Sequence, residues 1–347
     1  MSARLLVERW EGLARLPWIE LADLPTEAHE LSAISDAAGV PVWCKRDDLT
    51  ARLYGGNKIR KLEWLLGDAR SRGRDTLVTT GAFGSHHVLA TALCGRSAGF
   101  EVHAVLFPQP WTQHVEDQLR ADLAAGGVLH RARSYAEVAA RMAWIATRLR
   151  MQRKRAYVMG PGGSSPVGAL GYVEAGLELA QQIDHGGLPE PDAIYVAAGS
   201  GGTSAGLAVG LAAAGVGARV VAVRVTDRIA INRTVLAQLV RRTVRLLRKH
   251  DPRFPPVARD ALSRIAIDGS HAGPGYGAAT PEGDEATQPA ARDGLVLDPT
   301  YTAKALAALI ADARAGTTRR PLFLHTLSSA PMAPLLAGAP PAPDWSR

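Results

Sequence analysis

Along almost the whole chain, short apolar runs rich in β-forming residues alternate with stretches of helical period, and few architectures accept that rhythm. The runs at 76–80, 101–107, 156–159, 193–198, 219–225 and 321–324 predict strands. The stretches at 58–70, 86–98, 114–125, 135–150, 167–183, 203–214, 232–249 and 302–314 repeat their apolar residues at helical spacing. Strands separated by whole helices pair in parallel through right-handed crossovers, so the expected class is α/β: twisted, mainly parallel sheets layered between helices.

A length of 347 residues suggests two such units at roughly 150 residues per domain. The Gly/Pro-rich breaks lie at 161–166 (PGGSSP) and in a long segment, 268–294, expected to be an irregular loop region. No apolar run approaches the roughly 18 residues of a membrane span, and acidic residues interrupt the first thirty positions, so neither a membrane anchor nor a secretory leader is expected. Cys44 and Cys94 have no CxxC or histidine company, which argues against structural zinc and a disulfide framework. The expectation is a soluble cytoplasmic protein without a metal.

The formal charge of +7 invites a polyanion partner. The most basic run, 241–250, however, keeps Leu236, Val240, Val244 and Leu247 on one helical face and sends its arginines to the other. That is a solvated helix face, and no nucleic-acid partner is expected. Lysine is scarce: six residues, at 45, 58, 61, 154, 249 and 304. Lys154 and Lys249 lie in basic runs, Lys45 at a strand end and Lys304 on a helix.

Lys58 stands apart, in YGGNKIRKLEWLLGDAR at 54–70. Asn57 suits an N-cap and Gly73 the helix end. Lys58 then falls in the first turn, where the helix dipole disfavours a cation, with Lys61 a like-charge neighbour one turn on. Both effects favour the neutral amine, the form that attacks a carbonyl. The two preceding glycines let a bound molecule approach the backbone closely.

Two strand–turn–helix segments could hold anions. AAGSGGTSAGL at 197–207 turns its amides toward a helix start, where a phosphate would be held. No GK[ST] follows, so it is not a Walker A loop. As a dinucleotide fingerprint it lacks the third glycine, Ser204 standing there, although Asp227 sits where a ribose-binding acid would. In GAFGSHHVL at 81–89, Ser85 and His86 open a helix and could hold a carboxylate. Tyr276 in GPGYG and Tyr301 in DPTYT could move protons beside a cationic cofactor. A carbonyl-seeking lysine and a phosphate cradle together ask for pyridoxal 5'-phosphate.

On these residues the chain resembles the 1-aminocyclopropane-1-carboxylate deaminase and D-cysteine desulfhydrase family of the tryptophan-synthase-β-like, fold-type II pyridoxal-phosphate enzymes. The resemblance rests on WCKRDDLT at 43–50, GGNKIRKLE, GPGGSSPVGALGYVEAGLEL at 160–179, the 197–207 turn and LDPTYTAKALAALI at 297–310. It implies a large cofactor-binding domain (1–60 with 166–347), a small α/β domain (61–165), the cofactor in the cleft between them, a small amino-acid substrate and a homodimer. It makes Lys58 the Schiff-base lysine and Lys61 a phosphate contact. Gly199, Ser200, Gly201, Gly202 and Thr203 become the phosphate cradle, Ser85 the substrate serine, and Tyr276 and Tyr301 the two active-site tyrosines.

Within the family, Thr302 stands where deaminases carry Glu, and Thr326 follows His325 where deaminases carry Leu. Both favour the desulfhydrase side, with a threonine near the ring nitrogen. The implied reaction is α,β-elimination, giving pyruvate, ammonia and, from D-cysteine, sulfide. Two departures bear on the substrate. His86 replaces an asparagine that meets the cofactor, and HTLSS at 325–329 replaces HTGG. They leave open a β-replacement or elimination enzyme acting on another amino acid, the cyclopropane deaminase itself, a cofactor-binding protein of low activity and, more distantly, an NAD-linked enzyme.

Overall fold

The computed structural model describes residues 4–345. Its strands are β1 (Ala28–Glu30), β2 (Trp43–Lys45), β3 (Thr76–Ala82), β4 (Glu101–Phe107), β5 (Val128–Arg131), β6 (Ala156–Val158), β7 (Ala193–Ala198), β8 (Arg219–Arg224), β9 (Ile265–Asp268) and β10 (Pro321–Leu324). They form two sheets, β1-β2-β10-β7-β8-β9 and β5-β4-β3-β6. Every pairing is parallel except β1 with β2. β3 and β7 are buried along their whole length, as strands covered by helices on both faces must be. The α/β class expected from the alternation is the observed one.

The larger sheet draws its strands from 28–45 and 193–324, the smaller from 76–158. The chain beyond Thr326, expected with the larger unit, instead crosses to the smaller one. Met332, Leu335 and Leu336 join Leu62, Leu66 and Leu89, and Trp345 packs on Phe83 at 5.3 Å between ring centroids. Helices Pro166–Asp184 and Gly202–Ala214 cover the larger sheet in close contact through glycine: a methyl at Gly206 would sit 2.3 Å from the Ala169 carbonyl. The basic helix Arg233–His250 buries Leu236, Val240, Val244 and Leu247, as its spacing predicted.

Two expectations need correction. Segment 268–294 is not an irregular loop, because Thr280 caps a helix over Pro281–Arg292 through the Gly283 amide. The buried stripe of that helix is Gly283, Ala286, Pro289 and Ala290, too small to print a hydrophobic period. The lysine helix, Asn57–Ser71, is capped by Gly56 and not by Asn57. Gly56 takes φ +91°, and a methyl there would lie 2.7 Å from the Thr326 carbonyl.

Candidate active site

In parallel sheets the loops leaving the C-terminal strand ends gather on one side, where such folds hold their ligands. Here the segments after β3, β4, β5, β6, β7, β8 and β10 all reach one cavity of about 410 Å³ between the two sheets. Lys58, Lys61, Ser85, His86, Gly199, Ser200, Gly201, Thr203, Tyr276, Tyr301 and Thr326 all line it. Sequence positions 58 to 326 are thus brought together.

Lys58 Nζ donates to Asn57 Oδ1 at 2.6 Å, and Asn57 Nδ2 donates to Thr203 Oγ1 at 3.1 Å, tying the lysine turn to the glycine-rich turn. Burial lowers the Lys58 amine to about 8, against the opposing pull of Asp298. Lys61 Nζ donates to the Gly162 carbonyl at 3.2 Å, and burial together with the charge of Lys58 depresses it further. The physical cause differs from the one expected: desolvation dominates, and the like-charge effect runs from Lys58 onto Lys61.

Around the phosphate side, Ser164 Oγ bonds Ser200 Oγ at 2.8 Å and accepts from the Gly202 amide at 3.0 Å. Gly202 therefore sits behind the cavity wall with its N–H already committed, a correction to its expected place in the cradle. Its lack of a side chain still matters, since a methyl there would lie 2.9 Å from Lys61 Nζ. The amides of Ser200, Gly201 and Thr203 donate to no other backbone group among the described residues. A buried lysine and free amides at the start of helix Gly202–Ala214 fit a phosphate, and Lys58 fits an aldehyde.

Ser85 is buried, with its amide bonded to the Ala82 carbonyl and its hydroxyl without a protein partner among the described residues. The His86 and His87 amides, first in helix His86–Ser97, are likewise unpaired with backbone, so this corner can take a carboxylate. The His86 ring accepts or donates at Nδ1 to Tyr54 Oη, 2.8 Å away, and lies 5.2 Å from the His114 ring. Burial, with His114 and Lys58 adding to it and Asp298 opposing, holds it near 4, a neutral imidazole.

Tyr276 and Tyr301 meet hydroxyl to hydroxyl at 2.5 Å. Burial pushes Tyr276 up to about 12 and Tyr301 well above its ordinary value. Both are phenols at neutral pH. Lys304 Nζ fixes the Tyr276 loop through the Ala272 carbonyl at 2.8 Å. Asp298 fixes Tyr301 by accepting its amide at 2.8 Å. Thr302 does not line the cavity, contrary to its expected place near the ring: its hydroxyl is bonded to Asp298 Oδ1 at 2.7 Å. Thr326 does line it, with no hydrogen bond from its hydroxyl to another described residue. His325, buried beneath, stacks on Phe323.

Sequence reasoning took Asn57 for a helix cap only and passed over Ser164, Tyr54, Asp298 and His87, whose Nε2 bonds Thr79 Oγ1 at 2.9 Å. The PGGSSP break was the available signal for Ser164: two glycines and two serines after a strand form a second anion-facing loop.

Comparison with known proteins agrees with this geometry. Residues 19–326 match the family model described as pyridoxal-phosphate dependent enzyme. D-cysteine desulfhydrase of Klebsiella pneumoniae (strain 342) is 38% identical over 310 residues, 86% of this chain and 89% of that protein. The D-cysteine desulfhydrase of Salmonella paratyphi B (strain ATCC BAA-1250 / SPB7) is 36% identical over 324 residues, 90% and 94%. A solved ACC deaminase homologue superposes with a TM-score of 0.77 at 32% identity, covering 97% of this chain and 99% of its own. The processed form of threonine deaminase isoform 2 from Solanum lycopersicum shares the fold alone, with a TM-score of 0.63 at 15% identity. A match that spans nearly every strand and every loop of the cavity makes the chain a member of the pyridoxal-phosphate dependent enzyme family, a lyase whose cofactor is pyridoxal phosphate.

Proposed function

We propose that the enzyme catalyses α,β-elimination from a small amino acid with a leaving group at Cβ, D-cysteine foremost, releasing pyruvate, ammonia and sulfide. The observation that carries this reading is the pairing, in one cavity, of an amine at about 8 with two phenols that keep their protons. A lysine lowered to about 8 can release its own proton close to neutral pH and then act as a base, while the two phenols keep theirs and can give one. The named relatives supply the substrate.

In this reading Lys61, Ser164, Ser200 and the amides of Gly201 and Thr203 hold the phosphate, Thr326 meets the ring nitrogen and Lys58 is the covalent anchor. The bound cofactor supplies an electron sink for charge developing at Cα. Ser85 and the His86 and His87 amides hold the substrate carboxylate. Lys58 Nζ, as a free amine beside the bound substrate, would take the Cα proton. The Tyr276–Tyr301 pair delivers a proton to the departing sulfur. His86, neutral and held by Tyr54, packs beside the site without adding charge. Thr326, which lines the cavity where the deaminase branch carries Leu, favours elimination over opening of a cyclopropane ring. The same reading makes the protein a cytoplasmic homodimer, its two free cysteines, Cys44 and Cys94, buried; sedimentation tests the dimer.

The test is borohydride reduction followed by peptide mass spectrometry, which should find one pyridoxyl group, on Lys58. Lys58→Ala should lose that label and roughly 10³-fold or more of the activity. A visible cofactor band that survives in the Lys58→Ala protein would overturn the assignment. Assay of D- and L-cysteine, β-chloroalanine and 1-aminocyclopropane-1-carboxylate decides the substrate.

A further inference from the structure

Besides the cradle and the tyrosine pair, the cavity is lined by exposed residues that mark its mouth. One lip is the loop after β4, Phe107 to Pro110, and the loop after β5, Arg133 to Tyr135. Arg133 is exposed there, and its guanidinium has no hydrogen bond or ion pair among the described residues. Glu137, the carboxylate it interacts with electrostatically, is already engaged: Oε1 accepts from Arg141 at 2.8 Å, and Oε2 accepts from the Arg133 backbone amide at 2.6 Å. The loop backbone is thus pinned while the guanidinium, beyond its electrostatic attraction to Glu137, keeps its hydrogen-bond donors for something outside the fold.

Beside it, Tyr135 is 58% exposed and meets Phe107 edge-on at 5.1 Å, an aromatic surface facing the mouth. Gln109 adds a donor. Its Oε1 accepts from the Gly84 amide at 3.1 Å, which leaves Nε2 free between the Ser85 loop and the Tyr276 loop. The exposed Asp227 also lines the cavity, so both signs of charge are present at its solvent-facing part.

From this arrangement we infer that the mouth selects the leaving group: Tyr135 and Phe107 take an apolar linker, and Arg133 takes an anionic end. Among S-substituted cysteines, the favoured class is then one whose sulfur bears an alkyl chain ending in a carboxylate. The inference rests on the elimination reading. The Cα–H and Cβ–S bonds break, the sulfur leaves with the bonding pair and takes up a proton as a free thiol, and water hydrolyses the remaining enamine to pyruvate and ammonia. No oxidant or reductant is needed.

The test compares S-carboxyethyl-, S-propyl- and S-aminoethyl-cysteine, in both configurations, on the holoenzyme and on Arg133→Ala and Arg133→Lys. The wild type should favour the carboxyethyl over the propyl compound about fivefold in kcat/KM, through KM, as an exposed ion pair allows. High salt should shrink that ratio. Arg133→Ala should bring it to about one, and Arg133→Lys should restore most of it. A ratio near one in the wild type, or one unchanged in Arg133→Ala, overturns the inference. Dissociation constants read from the shift of the cofactor band test the same ratio without turnover, so failure of elimination and failure of the Arg133 site are told apart.

Discussion

Helix Asn57–Ser71 carries two kinds of desolvated cation within one turn. Arg60 is wholly enclosed and answered: it donates to Asp47 at 2.7 and 3.0 Å and to Glu178 at 2.8 and 3.0 Å. Tyr172 adds a bond to Asp47, and Lys45 a second cation to Glu178. Lys58 and Lys61 face the cavity with only an amide oxygen and a backbone carbonyl. Burial bears on both faces, yet Arg60 stays firmly charged while the lysines fall below their ordinary range. A desolvated charge that the fold compensates is costly to leave without its partner; one that the fold leaves uncompensated is set to bind or react.

The contrast breaks most visibly at Arg60. Arg60→Ala leaves Asp47 and Glu178 buried without their main partner, and unfolding in urea should show a loss of roughly 3–5 kcal/mol. A loss below about 1 kcal/mol would mean that the ion cluster does not hold the helix. Lys61→Ala should do the reverse. Stability of the cofactor-free protein should stay level or rise, while cofactor affinity falls by about 10- to 100-fold, the value of a charged hydrogen bond. Titration of the stripped enzyme with pyridoxal phosphate measures it.

The two faces were unequally legible in the sequence. The glycine-preceded lysine and the glycine-rich turn are contiguous strings, so their chemistry shows in 54–70 and 197–207 without a fold. The alternation of strands and helices is equally local. The partners that set each charge are not local: Arg60 meets Glu178 across 118 positions, and Tyr54 meets His86 across 32. That is why desolvation was missed as the cause at Lys58; Thr302 was placed at the ring by resemblance alone, although its hydroxyl answers Asp298 only four residues back. Small residues hid the rest. A stripe of Gly, Ala and Pro concealed the helix Pro281–Arg292, and strands of three or four residues, such as β1 and β5, are too short for a period to show.

Proton linkage sharpens the same contrast. Lys58 is held at about 8 against an ordinary 10.5, so between those values the unfolded chain binds more protons than the folded one. Stability of the cofactor-free protein, measured relative to Lys58→Met, should therefore rise with pH across that window. Glu178 lies the other way. Burial would raise it, but Arg60 and Lys45 bring it down to about 2 from 4.5. Its stabilising contribution is complete above 4.5 and is lost as pH falls toward 2. Thermal melts of wild type and Lys58→Met from pH 7 to 10.5 decide the first limb; parallel curves would show that Lys58 is an ordinary solvated amine.

The smallest expected effect tests how the reactive face is aimed. Asn57 is a neutral bridge, accepting from Lys58 Nζ at 2.6 Å and donating to Thr203 Oγ1 at 3.1 Å. Being uncharged, it orients the amine without raising its proton affinity as a carboxylate would. Asn57→Ala removes both bonds, each worth about 1 kcal/mol, and should slow turnover by three- to tenfold while the cofactor stays bound. Asn57→Asp separates aim from charge. It keeps an acceptor for Lys58, but it places a carboxylate against the amine and should move the alkaline rise in stability to higher pH. If Asn57→Asp keeps the wild-type pH profile, the neutrality of the lysine face is not what sets its reactivity, and the contrast with Arg60 is one of packing alone.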